Sequence, residues 1–302
     1  MGYLSQKKKY TNIKELLNIS LLLLFFCSVI ILFFSDTKLS SSISHFLFQI
    51  YIYTLIITTY AIFNRFYMQS LGLFLISFIL FLNIGMGGNL FFDVKTDGAQ
   101  SINILYHTDT KNLHDINQQI VDNQVDFAGI NRGDKPYYAG SFSDDLFLSS
   151  YPMRDSLVIT PRKVTRTGDV LLSKSNRAAF TEAIVNNSKI IFITTDFSTS
   201  STSEKQNALK NLGEFINMQD APVIVVGDFG VEAWSSEFLV FMEKTGLEVK
   251  NSIMMSNGET LFNPFVVPTV NILAYKNFGI NKISFLRKKH NSRYPLLLKI
   301  NY

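Results

Sequence analysis

Apolar residues crowd one end of the chain. Residues 16–34 form an apolar run broken only by Asn18, Ser20, Cys27 and Ser28. A helix of that length spans about 28 Å, close to the ~30 Å hydrocarbon core of a bilayer. Two further runs of similar length occupy 43–63 and 70–86, and no polar face repeats at helical spacing in any of them. The pattern predicts a membrane anchor over 1–90 with three transmembrane helices. Beyond it the periodicity changes. Short β-type runs at 102–106, 156–160, 190–195, 223–226, 270–275 and 296–300 alternate with helical patterns at 112–123, 203–218 and 236–245. Strands interleaved with helices predict a layered α/β domain over 101–302, joined to the anchor by a polar linker at 91–100.

Charge sharpens this division. Residues 16–86 are almost free of it, whereas Asp, Glu, Lys and Arg recur steadily from Asp93 onward, so the mean hydropathy of +0.17 averages two unlike regions. Lys7, Lys8, Lys9 and Lys14 precede the first run, Arg65 lies between the second and third, and the loop at 35–42 balances Asp36 against Lys38. The positive-inside rule then puts the N-terminus in the cytoplasm. Three crossings would place the α/β domain outside the cytoplasmic membrane. A cleaved signal peptide is not expected, because no small-residue site follows the first run and two more runs come after it. The net charge of +4 lacks the dense basic stripe of a nucleic-acid binder, so nucleic acid is not an expected partner. The single cysteine, Cys27, sits in the first apolar run, which leaves the domain without thiol chemistry. His45, His114 and His290 have no metal-ligand spacing, and no P-loop, nucleophile elbow or dinucleotide fingerprint is present.

The segment Ala221-Pro222-Val223-Ile224-Val225-Val226-Gly227-Asp228-Phe229-Gly230 carries the most specific signal. It resembles the "PVIVxGDFN" strand and turn of the endonuclease/exonuclease/phosphatase family, whose fold is deoxyribonuclease-I-like. Around it, 204–217 is similar to the family's preceding helix. Trp234-Ser235-Ser236-Glu237-Phe238 with Thr245-Gly246-Leu247 resembles a stretch of its small membrane-anchored members. Asn291-Ser292-Arg293-Tyr294-Pro295-Leu296-Leu297 resembles its terminal "SDHxPL" strand. The resemblance runs in order over residues 100–302. It implies a layered α/β sandwich and, in active members, phosphate-ester hydrolysis with a divalent metal held by carboxylates.

Carried over position by position, that chemistry is mostly missing. His107 stands at the Asn after the first strand, Arg132 at the metal-binding Glu, and Asp196 at the His of the "THL" strand. Gly230 stands at the Asn of "GDFN", Asn271 at the Asp of "IDHV", and Arg293-Tyr294 at the terminal Asp-His. Asp228 alone matches. A guanidinium stays protonated at any working pH, so Arg132 opposes a dication at the position where the family binds one. The expectation is a catalytically degenerate, membrane-tethered module for binding or assembly, with no cofactor. Its partners would be the bilayer, a membrane protein, or a phosphorylated ligand met by an anion pocket of Arg132, Arg293, His107 and Asp228, unless Asp228 and Asp196 pair with those arginines in a filled cleft, the reading favoured here. The alternative is an active phosphoesterase using Mg²⁺ or Mn²⁺ on lipid pyrophosphate or nucleic acid.

Overall fold

The computed structural model of the chain describes residues 2–33, 47–86, 100–107, 113–131, 147–149, 156–197, 200–250, 270–275, 278–285 and 296–301. It divides into two compact units, one of the residues up to Gly87 together with Trp234–Ser236 and the other of the remainder from Gly88.

Three helices form the first unit: α1 (Gly2–Phe33), α2 (Leu47–Phe63) and α3 (Tyr67–Met86). The expectation of three comparable spans is corrected here. Among the described residues only α1 is long and apolar enough to cross a bilayer, over Asn12–Ile30 at a hydropathy of 2.0. The apolar parts of the other two, Leu47–Phe63 and Tyr67–Leu82, are shorter. Residues 43–46, which the sequence pattern assigned to the second span, lie outside the described residues. Helix α1 also begins well before residue 16 and takes in the lysine cluster, because nothing between Gly2 and Leu16 breaks a helix. Two contacts set α1 against α3. Gln69 Nε2 donates to Asn18 Oδ1 at 3.1 Å, and a Cβ added at Gly72 would lie 2.7 Å from Leu21 Cδ1. Both pairs differ by 51 in number, so the two helices run parallel and Tyr67 is level with Leu16.

Two six-stranded sheets pack face to face in the second unit. The strands are β1 (Ser101–His107), β2 (Phe127–Asn131), β3 (Phe147–Ser149), β4 (Ser156–Thr160), β5 (Lys163–Leu171), β6 (Arg177–Val185), β7 (Ser188–Asp196), β8 (Val223–Asp228), β9 (Leu247–Val249), β10 (Val270–Tyr275), β11 (Gly279–Phe285) and β12 (Leu296–Asn301). One sheet is ordered β11-β12-β1-β2-β4-β3 and the other β5-β6-β7-β8-β10-β9. Two pairs are parallel, β1 with β2 and β7 with β8, and a helix links the members of each: α4 (Leu113–Asp122) and α5 (Thr202–Asn217). The central strands are buried on both faces and therefore read as continuous apolar runs, as in Val223 to Val226. Between the sheets lie Ile102, Ile104, Phe127, Phe192, Ile224, Val226 and Ile272, with Phe127 and Phe192 stacked at 5.1 Å. Helix α4 covers the outside of the first sheet through Ile116 and Ile120. Helix α5 and α6 (Ser236–Thr245) cover the second through Leu209, Leu212, Ile216, Phe238 and Phe241. Helix α5 opens with a capping box in which Ser201 and Glu204 serve each other's backbone.

Beneath the first sheet a buried carboxylate ties three segments together. Asp126 accepts from the Asn103 backbone N–H at 2.7 Å and from Arg162 Nε at 2.6 Å, while its carbonyl accepts from the Thr160 hydroxyl at 2.7 Å. Its side chain is 3% exposed, so the bonds offset a large desolvation cost.

Candidate functional site

Parallel pairing brings two carboxylates to one edge of the sandwich. In the β7–β8 register Asp196 lies opposite Asp228, which puts their Cα atoms about 4.8 Å apart on the same face. That face is the one carrying Phe192 and Val226, so both acids project from the inter-sheet side where the strands end. The strands can approach this closely because residue 227 is glycine. A Cβ there would sit 2.2 Å from the Thr195 carbonyl oxygen.

The turn after β8 is closed on itself. Asp228 Oδ1 accepts the Gly230 N–H at 3.0 Å, and the Asp228 carbonyl accepts the Phe197 N–H at 2.7 Å. Gly230 has φ +60, the left-handed region. From the first turn of α5, Lys205 reaches across and donates Nζ to the Gly230 carbonyl at 2.8 Å. A Cβ at 230 would meet Lys205 Cε at 2.7 Å and the Phe197 carbonyl at 2.8 Å, so the space where a side chain would begin is filled.

Across the interface, β1 and β2 end at His107 and Asn131. Asn131 is 1% exposed and acts as a bolt between the sheets. Its Nδ2 donates to Tyr106 Oη at 2.6 Å and to the Thr195 carbonyl of the other sheet at 3.1 Å. Its Oδ1 accepts, at 3.4 Å, from Ser156 and Thr194. Sequence reasoning passed over Asn131, because a polar residue ending a strand carries no mark of what faces it 64 positions away. His107 is buried and follows Leu105 in strand alternation, on the side of α4, whereas Asp228 follows Val226 on the inter-sheet side. Arg132 and Arg293 lie outside the described residues, so the described structure brings Asp196 to Asp228 and leaves the four-residue pocket an expectation.

No family model matches the sequence, and no curated protein matches it. Solved structures do match the fold. An endonuclease/exonuclease/phosphatase family protein of Bacteroides thetaiotaomicron superposes with a TM-score of 0.52 at 11% identity, over 67% of this chain and 97% of that one. A mannosyl-6-phosphatase of the same organism gives 0.51 at 10% identity, over 67% and 100%. The human Nocturnin catalytic domain, solved with a bound sulfate anion, gives 0.51 at 14% identity, over 67% and 94%. The sandwich has the endonuclease/exonuclease/phosphatase fold.

Against that fold, the described edge can be tested for a divalent cation. Asp196 and Asp228 offer carboxylate oxygens, but one oxygen of Asp228 already accepts from its own turn, and an ammonium lies over that turn. Among the described residues no three of His, Cys, Asp or Glu converge as a metal-ligand group. The described edge thus offers a divalent cation two carboxylates, one of them partly engaged by its own turn, beside a glycine turn that Lys205 closes.

Proposed function

We propose that this chain is a membrane-tethered, extracytoplasmic binding or assembly module whose endonuclease/exonuclease/phosphatase fold no longer performs phosphoester hydrolysis. The observation that carries the reading is the Gly230 turn. The family resemblance implies an Asn side chain at this position, and here a Cβ has no room and a lysine ammonium holds the turn shut. By the family resemblance, Arg132 at the Glu position and Arg293-Tyr294 at the terminal Asp-His put cations and no proton carrier where hydrolysis needs a metal and an acid–base pair. A ligand of such an edge would be anionic, a phosphate-bearing group met by Arg132 and Arg293, with His107 left on the far side of its sheet.

Tethering is supported by the first unit. Leu16, Leu23, Ile56, Phe63, Met68, Leu71 and Phe74 are all more than half exposed, which suits lipid and not water. Helix α1 supplies a full span. Helices α2 and α3 form a hairpin through a tight turn at Arg65 (φ 60), so together they cross twice or not at all. Either way the sandwich ends on the side opposite the N-terminal lysines.

The second reading, an active metal-dependent phosphoesterase of the same membrane surface, rests on Asp196 lying beside Asp228. Incubating the purified full-length chain with Mg²⁺ or Mn²⁺ and bis-p-nitrophenyl phosphate separates the two. The module reading predicts hydrolysis no faster than metal alone. Turnover that disappears in Asp228→Ala would replace it with the phosphoesterase.

A further inference from the structure

Helix α1 outruns its neighbours. The contacts Asn18–Gln69 and Leu21–Gly72 make Tyr67, where α3 begins, level with Leu16. Helix α1 nevertheless continues back to Gly2 without a break. Residues 2–15 therefore extend about 21 Å past the start of α3. This overhang contains Lys7, Lys8, Lys9 and Lys14 against the single acid Glu15, a net charge of +3. The turn between α2 and α3, at the same end, adds Arg65.

We infer that the overhang is a binding surface for anionic phospholipid headgroups of the leaflet on the N-terminal side. The inference rests on the tether reading above. Its argument is one of position and charge. If the apolar run starting at Leu16 enters the hydrocarbon, Lys14 falls within the headgroup layer, which is about 5–7 Å deep. The triplet at 7–9 is centred eight residues, or about 12 Å, from Leu16. It clears the headgroups by roughly one Debye length at physiological salt, close enough for an anionic surface to attract it. A continuous helix fixes the backbone of residues 7–9 at that height, whereas a flexible tail would average it over a larger volume. Each basic residue near such a surface favours it by roughly fivefold. The overhang thus gives the anchor a lipid preference independent of anything the sandwich binds.

The test uses the full-length chain in nanodiscs of phosphatidylcholine containing one-fifth phosphatidylglycerol in both leaflets, so that insertion direction does not affect the result. Lipids retained by the protein after detergent extraction are quantified by mass spectrometry. The wild type is expected to enrich phosphatidylglycerol severalfold over the bulk ratio. That enrichment should fall to near unity in the triple variant Lys7→Gln/Lys8→Gln/Lys9→Gln and in 0.5 M salt, but persist in Lys210→Gln, a change on the exposed face of α5. Equal enrichment in wild type and triple variant, or none in either, would overturn the inference while leaving the tether intact. Failure of the chain to enter nanodiscs at all would overturn both.

Discussion

The helices and the sandwich solve burial in opposite ways. In the sandwich, Ile104, Phe127, Phe192 and Val225 are fully buried. In the helices, large apolar side chains point outward, with Phe63 at 82% and Met68 at 79% exposed, while Ser28, Thr58, Ser70 and Ser77 turn inward. Those hydroxyls bond the carbonyl four residues back, as Thr58 does to Thr54 at 2.7 Å. Outward apolar side chains with small polar groups turned inward are the arrangement a lipid solvent favours, whereas water drives apolar groups together as in the sandwich.

Substitutions that behave differently in the two regions sharpen the contrast. Phe192→Ala removes a ring stacked between the sheets and is expected to cost about 4 kcal/mol. Phe26→Ala, at a position 55% exposed on α1, is expected to change stability by less than about 0.5 kcal/mol in detergent. Chemical denaturation of the full chain followed by circular dichroism checks both, and similar losses at the two positions would break the comparison. Asp126→Ala should cost about 3 kcal/mol in the same assay, since it strands Arg162 and the Asn103 N–H. Gly230→Ala should cost about 2 kcal/mol, from positive φ and the crowding by Lys205. The double variant with Lys205→Ala should recover part of it.

The smallest effect is electrostatic. The Thr165 hydroxyl, with Lys189 and Arg166 beyond it, holds the Glu182 carboxyl below its ordinary 4.5, against an opposing push from burial. A carboxyl whose pKa is lower folded than unfolded stabilises the fold at pH above 4.5 and loses that contribution as pH falls through the folded value. Wild type should therefore lose stability below pH 4.5 more steeply than Glu182→Gln, by less than about 1 kcal/mol. Parallel curves would show that the group contributes nothing.

Much of the sandwich was legible in advance, for identifiable reasons. Strands at 156–160 and 270–275 and the helix at 236–245 match their predicted bounds, because apolar runs bounded by turn residues specify them locally. The hairpin of β5 and β6 was missed. Strand β5 is largely exposed and polar, and β6 opens Arg177-Ala178-Ala179, residues that favour helix in isolation. Long-range pairing with β7 overrides that preference. At the candidate site, Asp228 was singled out by the resemblance of 221–230 to the family's strand and turn, and its pairing level with Asp196 was not legible. The roles of Asn131 and Lys205 were not legible either, since each depends on a partner brought up by folding: Thr195 for one and Gly230 for the other. The helices were read correctly as helices, but apolar length overstated α2 and α3 as spans and gave no sign that α1 continues back to Gly2.

The most direct test of the tethered-module account is alkaline carbonate extraction of cells producing the full chain, combined with protease added to intact spheroplasts. The account predicts that the chain stays with the membrane pellet and that external protease removes the sandwich. Release into the supernatant, or a sandwich that is cut only after lysis, would contradict it.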